Sequence, residues 1–209
     1  MKICSIASGS SGNCTYIGDG KHHILIDAGV SRKRIVDGLK QIGVAGEELD
    51  AIFVTHEHSD HIQGIPMMMK MFHTPIYATG GTLDCIRQKD KKGLVQMEYL
   101  YQLRADQPVR IGAMEITPFK ISHDAADPVC YTVEEDGHKF SIATDLGVYD
   151  DYIIEHLEDS EALLLEANHD ISMLESGKYP YSLKCRILSE YGHLSNEDSG
   201  SLLSRLINK

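Results

Sequence analysis

The 209-residue chain has no run of about 18 apolar residues, which excludes a conventional membrane-spanning helix. It has only five cysteines, an odd number with no CxxC pair, and so lacks a disulfide framework of the secreted kind. Cys4, Cys14, Cys85, Cys130 and Cys185 read as small buried hydrophobes in a reducing cytosol. The opening MKICSIASGS carries one lysine, and its apolar stretch breaks at Ser8-Gly9-Ser10, too soon for a secretory signal. Basic charge is scarce: 20 Lys and Arg stand against 31 Asp and Glu, a net −11. That excludes a surface gripping nucleic acid by charge alone, though not a local basic strip. Arg32-Lys33-Arg34 and the run from Arg87 to Lys92 are the two candidates, and such runs are more often a solvated helix face. Low-complexity segments, long linkers and repeats are missing too, so length favours one domain over residues 1–209.

What is present is a steady alternation of short β-branched runs and turns. KICSIAS, CTYIG, HHILIDAG and AIFVTH read as strands punctuated by Gly9, Gly12, Gly18, Gly20 and Gly29. SRKRIVDGLKQIG places Ile35, Leu39 and Ile42 at helical spacing, and IQGIPMMMKMF reads as a helix with Pro66 near its first turn and a methionine-rich core face. Strands return in PIYAT, VRIGAMEITPFKISH, VCYTVEEDG, KFSIATD and ALLLEAN. VYDDYIIEHLED and SLKCRILSEYG read as helices. In SNEDSGSLLSRLINK, Ser195 is placed to cap a helix with Asp198 three residues on, close to a capping box. The order of elements predicts an α/β fold with sheets sandwiched between helices.

One stretch stands apart. Residues 55–61, THEHSDH, place three histidines and two carboxylates directly after the apolar run AIFV. In extended chain, residues two apart face one side, so His56 and His58 can converge on one cation. Asp60 and His61, where the chain turns toward a helix, can point at a second. Chance would put HxHxDH somewhere in a chain of this composition roughly once in 400. Imidazole and carboxylate donors suit zinc, manganese or iron, and no cysteine joins them. His123 closes FKISH and Asp145 closes FSIATD in the same strand-end context. Asp27, closing ILIDAG, fits the same rim as an acceptor that orients a histidine ligand.

With LIDAG before it and strand-end His and Asp after it, HxHxDH resembles the metallo-β-lactamase-fold hydrolases. SIASGSSGNCTYI, ISHDAADPVCYTVE, IATDLG, LLLEANHD and GHLSNEDSG resemble the YycJ/WalJ subgroup of that family over essentially the whole chain. The resemblance implies an αββα sandwich with two divalent metals, zinc or manganese, at one edge. It implies a first metal on His56, His58 and His123, a second on Asp60 and His61, and Asp145 bridging both. A likeness to ribonuclease Z extends to Gly192-His193-Leu194-Ser195, and places His193 near a scissile phosphate with Glu166 as its partner. His169 and Asp170 are alternatives to Glu166. The family usually places a last ligand histidine on a strand beyond the final helix, and the sequence stops at Lys209 before any such segment. The expectation is a fold lacking its last C-terminal strand region, a truncated or processed fragment, with a firm first metal site and a weaker second.

Two cations about 3.5–4 Å apart generate hydroxide near neutral pH and clamp attacking and leaving oxygens, which suits phosphodiester hydrolysis. The subgroup implies a DNA nuclease, exonuclease-like in the 5′ to 3′ direction, with His193, Glu166 and Asp60 as its catalytic residues. The same core would also serve a hydrolase of small thioesters, lactones or cyclic phosphates, and a metal-stabilised regulatory domain without catalysis is a third reading. Nucleic acid, DNA above RNA, is the expected partner.

Overall fold

The computed structural model describes residues 1–207. Strands β1 (Lys2–Ala7), β2 (Cys14–Gly18) and β3 (His23–Ile26) form an antiparallel meander. Helix α1 (Arg32–Gln41) follows, opened by Ser31, whose hydroxyl accepts from the Arg34 amide, and buried through Ile35 and Leu39. β4 (Ala51–Phe53) pairs parallel to β3, as the intervening helix requires. After the short helix α2 (Ser59–Ile62), α3 (Ile65–Phe72) carries Pro66 in its first turn, where a missing amide hydrogen costs nothing, and buries Met68 and Met69. β5 (Ile76–Thr79), α4 (Gly80–Lys89) and β6 (Leu100–Leu103) complete a six-stranded sheet in sequence order.

The second sheet runs β11-β10-β9-β8-β7, from β7 (Val109–Ile111), β8 (Met114–Lys120), β9 (Val129–Glu135), β10 (His138–Ala143) and β11 (Ala162–Leu165). Helix α5 (Asp151–Leu157) crosses from β10 to its parallel neighbour β11. α6 (Ile171–Ser176), α7 (Tyr181–Ile187) and α8 (Asn196–Ile207) follow. Ser195 caps α8 and exchanges hydrogen bonds with Asp198, as the pattern predicted.

Side-chain alternation divides the interior into three cores, and so into four layers. Leu25, Ile52, Ile76 and Ala78 face α1, α3 and α4, while Ile24, Ile26, Ala51 and Phe53 from the same strands face the other sheet. Tyr131, Val133, Phe140 and Ile142 complete that middle core. Phe119, Cys130 and Ala143 turn outward onto α5 and α8. The result is two mixed sheets with flanking helices. The sheets are also joined at one rim, where the Val129 amide donates to the Thr55 carbonyl at 3.0 Å and the Tyr131 hydroxyl to Val54 at 2.7 Å.

Several local expectations are corrected. VRIGAMEITPFKISH is two strands, broken by the turn at Gly112-Ala113, where Gly112 holds φ 59°. α4, β6 and α6 lie in stretches whose periodicity is too short or too polar to announce them. Only Cys14 and Cys130 are buried; Cys4 and Cys85 are half-buried and Cys185 is exposed. Among the described residues, no helix is long and apolar enough to cross a membrane.

Candidate metal centre and its neighbouring acid–base pair

β3, β4, β8, β10 and β11 all end at the rim where the sheets join, because β8 and β10 run in one direction and β3 and β4 share theirs. Each delivers polar residues just past its last ladder pair. Asp27 follows β3, the THEHSDH loop follows β4, His123 follows β8, Asp145 follows β10 and Glu166 follows β11. Asp27 and Asp145 both adopt the left-handed backbone conformation, φ 62° and 56°. That conformation is uncommon outside glycine, least so for Asp and Asn, and ends the strand while swinging the carboxylate back over the rim.

The histidines are built in from behind. Asp27 is 3 % exposed and accepts from the Thr55 amide at 2.9 Å, the Thr55 hydroxyl at 2.9 Å and His61 Nδ1 at 2.8 Å. With the Thr55 hydrogen spent on Asp27, His56 Nδ1 donates to the Thr55 oxygen at 3.0 Å. His123 Nδ1 donates to the Gly192 carbonyl at 3.2 Å. These bonds decide the tautomers: His56 and His123 present Nε2 lone pairs, and His123 Nε2 lies 3.3 Å from His58 Nδ1. His56 Nε2 is fully buried with no hydrogen-bond partner. An orphaned imidazole nitrogen inside a ring of imidazoles is costly unless a cation completes it, and neutral nitrogen donors at this spacing fit a divalent metal.

Two triangles of donors share His56. One is His56, His58 and His123; the other is His56, His61 and Asp145, each with donor atoms within 4.8 Å of one another. His61 Nε2 stands 3.2 Å from Asp145 and 3.6 Å from Asp60. Burial opposes charge on His61, yet the facing Asp27 and Asp145 carboxylates outweigh it and raise its pKa to about 10. His61 thus keeps a proton where a second cation would compete for the same lone pair. Burial and the neighbouring imidazoles push His56 the other way, toward the neutral ligand form. Asp145 is held ionised by His61 against its own burial.

A third triangle joins Asp145 to Glu166 and His193. His193 Nδ1 donates to Glu166 Oε1 at 2.7 Å and lies 3.5 Å from Asp145. The other Glu166 oxygen accepts from the Leu146 amide at 2.9 Å, which fixes the carboxylate. Burial would keep His193 neutral, but Glu166 raises its pKa. His169 and Asp170 do not take this place: Asp170 caps α6 through the Met173 amide, and His169 lines the next cavity.

All these groups except the deepest line one cavity of about 690 Å³, whose far wall is the loop of Ser8, Gly9, Ser10 and Asn13. The Asn13 side-chain nitrogen lies 3.0 Å from His61 Nε2, and the Asn13 backbone N–H donates to the Asp60 carbonyl at 2.7 Å. The sequence marks that loop as a hairpin and as part of the motif SIASGSSGNCTYI, without assigning it a place at the metal centre. It also passes over Thr55, and over Glu57, which is 7 % exposed and accepts from the Ala126 amide at 2.9 Å, tying the His56–His58 loop to the His123 loop. Lys89 donates to the Glu57 carbonyl at 2.8 Å, so one cation of the basic run braces the motif. Arg186 pairs with Asp124 at the cavity mouth. The residue between the histidines of HxH is the one signal available beforehand: a carboxylate there is buried and needs donors.

Comparison with known proteins gives the family. Residues 22–209 match the beta-lactamase superfamily domain. The chain is 38% identical over 207 residues to exodeoxyribonuclease WalJ of Streptococcus pneumoniae serotype 2, covering 99% of this chain and 77% of that protein. It is 34% identical over 202 residues to exodeoxyribonuclease YycJ of Bacillus anthracis, covering 97% and 76%. Among solved structures, the short form of human tRNase Z superposes with a TM-score of 0.72 at 17% identity, over 99% of this chain and 89% of that one.

Proposed function

This chain belongs to the metallo-β-lactamase superfamily, and we propose that it is a metal-dependent phosphodiesterase that cleaves DNA from a strand end, in the 5′ to 3′ direction. Its similarity to exodeoxyribonucleases over nearly its whole length supports DNA as the substrate. The observation that carries the chemistry is the shared cavity: His58, Asp60, Asp145, Glu166 and His193 open into one space.

In this reading His56, His58 and His123 hold the first cation, and Asp60, His61 and Asp145 a weaker second, with zinc and manganese matching the donor set. A divalent cation bound there supplies Lewis-acid polarisation of a phosphoryl oxygen and activation of water. The protein's own part is positioning and proton transfer. Asp27 and Thr55 keep the His56 and His61 rings aimed at the centre. His193, whose pKa Glu166 raises, hydrogen-bonds the phosphoryl oxygens and gives its proton to the departing sugar oxygen. Glu166 fixes the ring through Nδ1, leaving Nε2 to face the substrate. Five free cysteines suit a reducing compartment, and the cytoplasm is the proposed location.

The test is metal content together with cleavage of 5′-phosphorylated and 5′-hydroxyl DNA and RNA strands, labelled at either end. Wild type should release nucleotides from phosphorylated DNA, and His58→Ala should lose metal and cleavage together. Cleavage that survives loss of the metal, or turnover of a thioester with no oligonucleotide cut, would sink the proposal.

A further inference from the structure

Beyond the metal centre, on the other side of the Glu166–Asp170 turn, lies a second cavity of about 610 Å³. It shares Ala167 and Asn168 with the catalytic cavity, so the two open over one lip. Its walls are the wrong kind for a surface left to water. Met173 is 73% exposed and Tyr179 59% exposed, and with Leu174 they face a space that no side chain of the protein fills. Gly177 contributes bare backbone between them. The polar lining is Asn168, Asn196 and His169, with one acid, Asp170, and one cation, Lys178. Both His169 ring nitrogens are buried without a hydrogen-bond partner. Its backbone is pinned by a bridge to Ser195, so the ring is held in this wall. Asp170 spends its carboxylate on the first turn of α6, where the Ser172 hydroxyl and the Met173 amide favour its ionised form.

This chemistry selects its occupant. Apolar and aromatic surface with amide donors and acceptors matches a flat heteroaromatic ring, and one lysine beside one hydrogen-bonded aspartate builds neither a phosphate cradle nor a metal site. Burial disfavours the charged form of His169, consistent with a neutral guest. Lys178 brings one cation to this lining, and Arg186 lines the catalytic cavity beside it. Between Ile171 and Leu188 the chain carries Lys178, Lys184 and Arg186 against the single acid Glu175, in a protein of net charge −11. A backbone can thus run along the rim while a base turns inward.

Building on the nuclease reading, we propose that this cavity receives the unstacked nucleobase of a nucleotide flanking the scissile phosphate, stacked against Tyr179 and Met173. Seating the base there positions its phosphate at the lip shared with the catalytic cavity. The pocket reads ring shape and stacking, so it accepts all four bases and requires a single-stranded end.

The experiment uses the metal-loaded full chain and 5′-phosphorylated single-stranded DNA, with one abasic residue stepped through the first four positions. Wild type should show KM raised roughly tenfold or more when the abasic residue occupies one flanking position, in line with the stacking energy of a base on an aromatic ring. Tyr179→Ala should impose a similar rise on intact DNA and no further rise on the DNA abasic at that position. Tyr101→Ala, an exposed tyrosine outside this wall, should leave KM unchanged. Wild-type cleavage that ignores every abasic position, or a Tyr179→Ala penalty equal on intact and abasic strands, overturns the pocket and leaves the nuclease reading standing. Wild type that cuts no strand at all overturns both.

Discussion

Replacing Asp27 with Asn tests the argument that the rim is organised from behind. The two side chains have the same shape, and Asn tolerates a φ of 62° as well as Asp does, so the backbone carries no penalty. The amide oxygen can still accept from Thr55. The amide nitrogen, however, meets His61 Nδ1, 2.8 Å away in the parent protein, and two donors cannot share that gap. His61 must give up its Nδ1 proton and carry hydrogen on Nε2, the atom that faces Asp145 and the second cation. Losing one buried charge-assisted hydrogen bond costs about 1.5–3 kcal/mol. Removing such an outer partner weakens metal binding by roughly 10–100-fold, which is about 1.4–2.7 kcal/mol, so the two routes agree. Chelator competition should therefore show the weaker of two bound equivalents falling by that factor, with a smaller effect on the tighter one, which feels Asp27 only through Thr55. Equal wild-type affinity at both sites, or a larger loss at the tighter one, would refute the reasoning. The same geometry sets a pH dependence. The folded pKa of His61 is raised, so its stabilising charge is fully present below about 6.5, the ordinary histidine value. That stability is lost as pH rises toward about 10. Metal-free wild type should lose thermal stability over that window, Asp27→Asn should lose less, and second-site metal affinity should rise with pH.

Other outcomes follow from neighbouring contacts. His193→Gln should lower kcat by about 10²–10⁴-fold with metal content unchanged, measured on an oligonucleotide. Glu166→Gln should move the alkaline limb of the rate profile to lower pH, because Glu166 is what raises the His193 pKa and the charged ring is the acid. Gly29→Ala should cost more than about 2 kcal/mol by denaturant unfolding and loosen metal binding, since a Cβ there collides with the Asp60 carbonyl, a backbone atom that cannot swing aside. Asp19 is held ionised against its partial burial by the Lys21 and His22 amides and the His22 ring, so its stabilisation is present above about pH 4 and lost as pH falls. Asp19→Asn should flatten the acid limb of a melting-temperature profile.

The amount legible beforehand varied by residue for physical reasons. His56, His58, His123 and Asp145 could be singled out because each follows closely on a strand, and strand ends are local. Ser195 with Asp198 and Pro66 in α3 were equally plain, since caps and first turns involve three or four residues. α4 was hidden because its buried set, Thr82, Leu83 and Ile86, is too mixed to announce a face. The turn at Gly112 was hidden because strands on either side keep the same alternation. Thr55, Glu57 and Asn13 carry no local signature; their partners lie 28, 69 and 48 residues away.

The sequence alone determined the candidate donors, their two-residue spacing and the elements that carry them, since helix and strand periods follow from covalent geometry and from which side chains water rejects. Tertiary structure decided which nitrogen each histidine offers, which carboxylate stands behind His61, and that Glu166 rather than His169 meets His193. Those outcomes depend on the register of two sheets meeting at one rim. There a shift of a single residue turns every side chain to the opposite face, and no stretch of chain shorter than the whole sandwich contains that information.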